Sequence, residues 1–203
     1  MKTPLSLTVL DNGPIKISGD ELTVQYCGEP VAVEAGQDVY VCRCGESKNP
    51  PFCDGSHAKV GFTATPFQGD KKKLHVWEGK TIRTVFNANA CMHAFYCKPL
   101  KELRKRELEG DTGAAAEIAR IVESCPSGAL TYESTDVEAP AASADAPAID
   151  IMEGGEVRVQ TAFEINEELQ DRQPNTRATL CRCGLSKNKP WCDGAHKKRE
   201  NFR

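Results

Sequence analysis

Short stretches in which apolar and polar residues alternate occur at both ends of the chain. They cover residues 15–17, 22–24, 31–33 and 39–41 in the N-terminal part and 157–159, 163–165 and 178–180 in the C-terminal part. Alternation with a period of two residues predicts short β-strands with one buried face. Glycines between the stretches supply the turns, so the pattern predicts a small β unit at each end of the chain.

The segment between these units has a different pattern. Residues 80–86 alternate as a strand, and the highly charged residues 99–109 predict a helix with an i,i+4 ion pair between Glu102 and Arg106. Residues 114–124 place their apolar side chains on one helical face and predict a second helix. This segment therefore predicts a small α+β domain. Residues 133–150 are rich in Ala, Pro, Ser and Asp, a composition typical of flexible linkers. The fold class that we expect is mainly β with a small α+β insertion.

An internal repeat fixes the domain organisation. The sixteen residues 42–57 recur at 181–196 without a gap, and twelve of the sixteen positions are identical. The repeated cysteines and histidines are among the identical positions. A repeat of this kind indicates two copies of one structural unit. The predicted domains are 1–66 for the first copy, 67–132 for the middle domain, 133–150 for the linker and 151–203 for the second copy.

The composition indicates that the chain needs metal ions or disulfides for stability. Only 39% of the residues are hydrophobic and 6% aromatic, whereas ten are cysteines. Small domains with so little apolar material are usually stabilised by disulfides or metals. The C-x-C pairs in each repeat are poorly placed for disulfides, and the first ten residues are too polar for an export signal. We therefore expect a cytoplasmic, reducing location, where closely spaced cysteines indicate metal sites.

Two function classes are disfavoured by charge and hydropathy. The net charge is −3, which does not favour a nucleic-acid binder. Apolar runs of about 20 residues, which membrane-spanning helices need, do not occur in the sequence. We expect neither nucleic acid nor membrane as a partner.

Each repeat supplies three thiolates and one imidazole with the spacing C-x-C-x8-C-x3-H. The candidate metal ligands are Cys42, Cys44, Cys53 and His57 in the first copy and Cys181, Cys183, Cys192 and His196 in the second. The two cysteines of C-x-C can bind one metal ion, and the Cys and His of C-x3-H can bind a second. Each of these ligand pairs is called a clamp below, and a binuclear iron centre requires two of them. A single zinc ion is the alternative, because three Cys and one His also satisfy a zinc site, although zinc ligands are usually spaced more widely than C-x-C.

Both copies resemble the mitoNEET-like CDGSH iron–sulfur domain family. The signature string is present at 53–57, and its alanine variant at 192–196. The resemblance implies one 2Fe–2S cluster per repeat. In the first, Cys42 and Cys44 would bind one iron while Cys53 and His57 bind the other, and the second repeat would follow the same scheme. A neutral histidine ligand raises the reduction potential, as in Rieske centres.

The middle domain contains a third candidate site. Cys91, Cys97 and Cys125 occur in a C-x5-C…C-P pattern that resembles a divergent single-cluster ferredoxin. A full ferredoxin run would place a cysteine at Ala94. Three thiolates suit a 3Fe–4S cluster, and a 4Fe–4S cluster would need His93, another residue or solvent as the fourth ligand. The alternative is a ferredoxin-like domain that has lost its cluster.

These observations lead to three function hypotheses. The first is an electron-transfer protein with two 2Fe–2S clusters and a third, 3Fe–4S or 4Fe–4S, cluster. The second is a protein that stores or transfers 2Fe–2S clusters or senses redox state or iron, and the third is a zinc-binding interaction module. The sequence shows no nucleophile–base constellation and no phosphate loop, so we do not expect an enzyme.

The repeat also bears on partners and assembly. The expected partners are redox proteins or apo-proteins that accept clusters. Family members with one motif form homodimers with a shared β-cap. This chain carries both halves, so we expect a monomer in which the two repeats pair.

Overall fold

The computed structural model describes residues 3–64, 74–138, 147–166, 176–200 and 202. Strands outnumber helices in these ranges, so the protein is mainly β, as predicted. The strands are β1 Leu5–Val9, β2 Ile15–Ser18, β3 Val24–Tyr26, β4 Glu29–Val31, β5 Val39–Val41, β6 His75–Glu78, β7 Ile82–Phe86, β8 Leu130–Ser134, β9 Ile149–Ile151, β10 Val157–Val159, β11 Phe163–Ile165 and β12 Ala178–Leu180. The α-helices are α1 Ser56–Lys59, α2 Leu100–Glu109 and α3 Ala114–Glu123, and a short 3-10 helix covers Ala195–Lys198.

Two of the three sheets in the described ranges combine strands from both repeats. The first has the order β11-β1-β2-β5 and the second the order β12-β10-β9-β3-β4. The joining pairs are parallel: β1 pairs with β11, with Leu5 opposite Phe163, and β3 pairs with β9, with Val24 opposite Ile149. Buried residues of both repeats form one hydrophobic core between these sheets. Neither repeat therefore has a complete core of its own.

The two repeats use the same turn before their first ligand-bearing segment. The backbone N–H of Leu10 donates to the carbonyl of Pro14, and the N–H of Met152 donates in the same way to Glu156. Pro14 and Glu156 therefore occupy equivalent positions, directly before β2 and β10 respectively.

The middle domain packs two helices against the antiparallel sheet β6-β7-β8. Its core is separate from that of the repeats and includes Ile82, Leu103, Ile118 and Val122. The predicted helices 99–109 and 114–124 are present as α2 and α3. The amphipathic pattern predicted α3 well because this helix buries one face inside its own domain.

The structure differs from the sequence prediction at several element boundaries. Strands expected at 22–24 and 31–33 lie at Val24–Tyr26 and Glu29–Val31, and β1 was not predicted. The expected linker 133–150 is too long, because its first residues belong to β8 and its last to β9, while 139–146 lie outside the described residues. These boundaries depend on partner strands distant in sequence, which local patterns do not encode.

Among the described residues, no helix has both the length and the apolar character that crossing a membrane requires.

Candidate metal centres

The first motif brings its four predicted ligands together in two pairs. Cys42 follows strand β5, and its Sγ lies 3.5 Å from the Sγ of Cys44. The Sγ of Cys53 lies 3.3 Å from Nδ1 of His57, which is in the first turn of α1. Two ligands on one tetrahedral metal, with bonds of about 2.0 to 2.3 Å, lie about 3.5 to 3.7 Å apart. Each pair is therefore spaced to share one metal ion.

The second motif repeats this arrangement. The Sγ atoms of Cys181 and Cys183 are 3.8 Å apart, and the Sγ of Cys192 lies 3.4 Å from Nδ1 of His196. His196 lies in the 3-10 helix that replaces α1 in this copy. The ligand spacing is thus preserved although the helix type differs.

An aspartate shapes each C-x3-H clamp. Asp54 accepts hydrogen bonds from the backbone N–H groups of Lys48 and Ser56, both at 2.9 Å. These bonds hold the pKa of Asp54 well below its usual range. Asp193 accepts the equivalent bonds from Lys187 and Ala195. The carboxylates therefore tie the two sides of each ligand loop together rather than facing a metal ion.

A serine braces the other side of each loop. Ser47 donates to the carbonyl of Phe52 at 2.6 Å, and Ser186 donates to that of Trp191 at 2.7 Å. Both hydroxyls also accept a backbone N–H bond two residues further along the chain. These bonds place the serines in a structural role.

Backbone N–H groups point at the ligand sulfurs. Gly45 donates to the Sγ of Cys42 at 3.3 Å, and Glu46 donates to that of Cys44 at 3.4 Å. In the second motif Gly194 donates to the Sγ of Cys192 at 3.4 Å. Such bonds favour the thiolate form and tune the potential of an iron–sulfur centre.

Burial opposes this ionisation in one cysteine of each motif. It raises the pKa of Cys44 to about 11 and that of Cys192 to about 12. Burial also lowers the pKa of His196, which disfavours the charged imidazolium. Buried thiols with ionising hydrogen bonds and a neutral imidazole form a ligand set completed by a positively charged metal. The residues present therefore fit an iron–sulfur cluster at each motif.

The two sites differ in exposure. Cys42 and Cys44 are buried, but Cys53 and His57 are only half-buried. In the second site all four ligands are buried, including His196, which is 9% exposed. The C-x3-H side of the first site is thus the more accessible one.

Sequence reasoning missed one residue at the second site. Glu156 is buried, and one atom each of Glu156, Cys192 and His196 lie within 4.8 Å of one another. Glu156 lies outside the repeated motif and aligns with Pro14, so comparison of the repeats gave no signal for it. Its position directly before β10, beside the ligand loop, is visible only in three dimensions.

The ligand loops of the two motifs are in direct contact. Arg199 donates to the carbonyl groups of Cys44, Gly45 and Cys183 and pairs with Glu46. One side chain from the second repeat therefore joins both C-x-C loops.

The three cysteines of the middle domain line one pocket. Cys91, Cys97 and Cys125 all face it, together with several aromatic residues. Nδ1 of His93 lies 3.9 Å from the Sγ of Cys91, and the backbone N–H of His93 donates to the same sulfur. His93 has a left-handed backbone with φ 55°, which is uncommon for this residue and is often found at functional sites. The pocket thus gathers three cysteine side chains, with an imidazole beside one of them.

The middle pocket adjoins the second motif. Lys197 donates to the carbonyl of His93 at 2.7 Å, and the side-chain amide of Asn188 donates to that of Asn89 at 2.8 Å. The loop with Cys91 therefore packs against the loop with Cys192 and His196.

Comparison with known families supports this arrangement. Residues 12–58 and 151–197 each match the family described as "Iron-binding zinc finger CDGSH type". Residues 77–135 match the family described as "Divergent 4Fe-4S mono-cluster". No curated protein matches the chain.

Proposed function

We propose that this chain, in which two CDGSH-type iron-binding domains flank a divergent 4Fe–4S mono-cluster segment, is an electron-transfer protein with a 2Fe–2S cluster in each CDGSH domain. The observation that carries the proposal is the pairing of ligands within each motif. The pairs are spaced at 3.3 to 3.8 Å. Among the described residues, no three of the four ligands of a motif have ligand atoms that all lie within 4.8 Å of one another. Four ligands of one zinc ion would lie about 3.3 to 3.8 Å apart throughout, so the arrangement favours two metals per motif.

Each 2Fe–2S cluster would supply one-electron redox chemistry. The chain's own residues bury the C-x-C side of each site, donate backbone N–H bonds to the sulfurs and provide one neutral imidazole. The N–H bonds and the neutral imidazole raise the reduction potential above that of an all-cysteine site. The direct contact of the ligand loops through Arg199 supports a redox role shared by the two domains.

A third cluster in the middle domain extends the proposal. Cys91, Cys97 and Cys125 would hold it, as 3Fe–4S with three thiolates or as 4Fe–4S with His93 as the fourth ligand. The shared pocket and the family match support this assignment.

Purification under anaerobic conditions tests the function. Iron, sulfide and zinc are quantified, visible absorption is recorded, and the protein is cycled with a one-electron reductant and oxidant. We expect roughly equal iron and sulfide and reversible bleaching with both 2Fe–2S clusters retained. Zinc without sulfide would overturn the iron–sulfur assignment in favour of a zinc-binding interaction module.

Donation of 2Fe–2S clusters is a second candidate function, with a role in redox or iron sensing related to it. The observation that favours it is the half-exposed Cys53–His57 clamp of the first site. Mixing the loaded protein with an apo-ferredoxin tests this function. Transfer of one cluster per chain, from the first site, would favour donation over electron transfer.

The partners of this protein would be redox proteins or apo-acceptors of clusters in the cytoplasm. The protein would convert no substrate. Strand pairing between the repeats supports a monomer.

A further inference from the structure

Glu156 places a buried carboxylate on the outer side of the second histidine ligand. The residue is 3% exposed, and its Oε2 lies 3.6 Å from Nε2 of His196. The other ring nitrogen, Nδ1, faces Cys192 at 3.4 Å. When Nδ1 binds a metal, Nε2 carries the proton and points at this carboxylate.

The carboxylate is held in place by its neighbour on β10. Nε of Arg158 donates to Oε1 of Glu156 at 2.8 Å, which leaves Oε2 directed at His196. A buried carboxylate is costly unless it is paired. The pairing with Arg158 therefore fixes one oxygen and presents the other to the imidazole.

The first site has the same ligands but a different residue at this place. Pro14 occupies the position equivalent to Glu156. The backbone N–H of Leu10 donates to the carbonyl of Pro14, just as that of Met152 donates to the carbonyl of Glu156. A proline side chain has no group that accepts a hydrogen bond from Nε2 of His57. The two sites therefore differ in the partner of the histidine rather than in the ligands.

We propose that Glu156 is a positioning residue that acts through His196 to give the second site a lower midpoint potential and tighter cluster retention than the first site. A carboxylate that faces the outer N–H of a histidine ligand at 3.6 Å makes the imidazole a stronger donor through its charge and adds negative charge near the metal. Each effect stabilises the oxidised cluster. This inference rests on the proposed 2Fe–2S clusters.

The test compares Glu156→Gln with the unchanged chain in redox titrations at one fixed pH. Each cluster is followed by visible absorption and electron paramagnetic resonance, and His57→Cys in a parallel sample identifies the signals of the first cluster. We expect Glu156→Gln to raise the potential of the second cluster alone and to speed its loss about tenfold. Glu156→Asp, which keeps the charge, is expected to restore part of both properties.

Glu153→Gln is the matched control, because Glu153 is exposed on the same turn and its loss removes the same charge. We expect it to change neither potential. Equal shifts in Glu153→Gln and Glu156→Gln would overturn the inference, since they would indicate only long-range charge. Unchanged potentials and loss rates in Glu156→Gln would also overturn it while leaving the proposed function intact. A protein that binds no iron or sulfide would instead refute the proposed function.

Discussion

Gly184 faces the backbone carbonyl of Cys44, and a Cβ at this glycine would lie 2.7 Å from that oxygen. The contact is reciprocal, because a Cβ on Gly45 would lie 2.8 Å from the carbonyl oxygen of Cys183. Both glycines have left-handed backbones, with φ 77° at Gly45 and 79° at Gly184. The two C-x-C loops can pack this closely only where side chains are absent.

Gly184→Ala is therefore expected to weaken the whole interface between the sites. Gly36→Ala is the control, because Gly36 has a similar φ of 74° but open space around it. Left-handed strain alone costs about 1 to 2 kcal/mol, and we expect Gly184→Ala to cost roughly twice as much. Denaturant unfolding of the loaded protein under anaerobic conditions measures the loss of unfolding free energy in both variants. Equal losses would mean that the close contact between the loops adds nothing to stability.

His57→Cys tests the histidine ligand of the first site. The exchange replaces a neutral imidazole by an anionic thiolate, so the potential of the first cluster is expected to fall and its retention to rise. Redox titration and the rate of visible bleaching measure these properties. The second cluster serves as the internal control. If neither the potential nor the loss rate of the first cluster changes, His57 is not a ligand.

Asp54→Ala is expected to speed cluster loss from the first site, because it removes the bonds that hold Lys48 and Ser56 in the ligand loop. Asp193→Ala should act in the same way on the second site alone.

The pH dependence of the effect of Asp54→Ala follows from the direction in which the pKa of Asp54 is shifted. The pKa of Asp54 lies below its ordinary value of 3.8 because backbone N–H groups favour the charged form. A lowered carboxyl pKa gives stability that is complete above the ordinary pKa and is lost only as the pH falls through the lower folded value. The effect of Asp54→Ala should thus be constant from about pH 6 to 8. If the difference in cluster-loss rate between Asp54→Ala and the unchanged chain disappears between about pH 6 and 8, the charged carboxylate is not its cause.

Cys91→Ser and Cys125→Ser are expected to remove a third cluster and leave both 2Fe–2S signals unchanged. The iron content should fall by about three or four per chain, according to the cluster type. Cys27→Ser is the control, because this exposed cysteine lies outside all three sites. Loss of signal in His93→Ala as well would indicate a 4Fe–4S cluster with a histidine ligand. Unchanged iron in both cysteine variants would mean that the middle domain has lost its cluster.

The sequence predicted those features that depend on local spacing. The pairing of Cys53 with His57 follows from a turn four residues long, and helix α3 follows from one apolar face packed within its own domain. The repeats were expected to pair, but the individual strand pairings and side-chain contacts between distant segments were not predicted. Strand β1 pairs with β11, which lies more than 150 residues away, and Glu156 reaches His196 only because β10 and the ligand loop are neighbours in space. Their local sequences carry no sign of these contacts.

The pairing of the repeats leads to a prediction about assembly. Parallel ladders join β1 to β11 and β3 to β9, and residues of both repeats share one core. Pairing within one chain removes the concentration cost of dimer formation. Sedimentation at low micromolar concentration is therefore expected to give a monomer near 22.2 kDa with both 2Fe–2S sites filled.

The competing arrangement is a dimer in which each repeat pairs with its counterpart in a second molecule. Phe163→Asp separates the two, because Phe163 is buried opposite Leu5 at the joint between the repeats. In a monomer this change should destabilise both sites together, by about 3 to 5 kcal/mol, without altering the mass of the folded fraction. A stable wild-type dimer, or a variant that loses the second cluster while the first stays fully stable, would show that the repeats do not depend on one another within one chain.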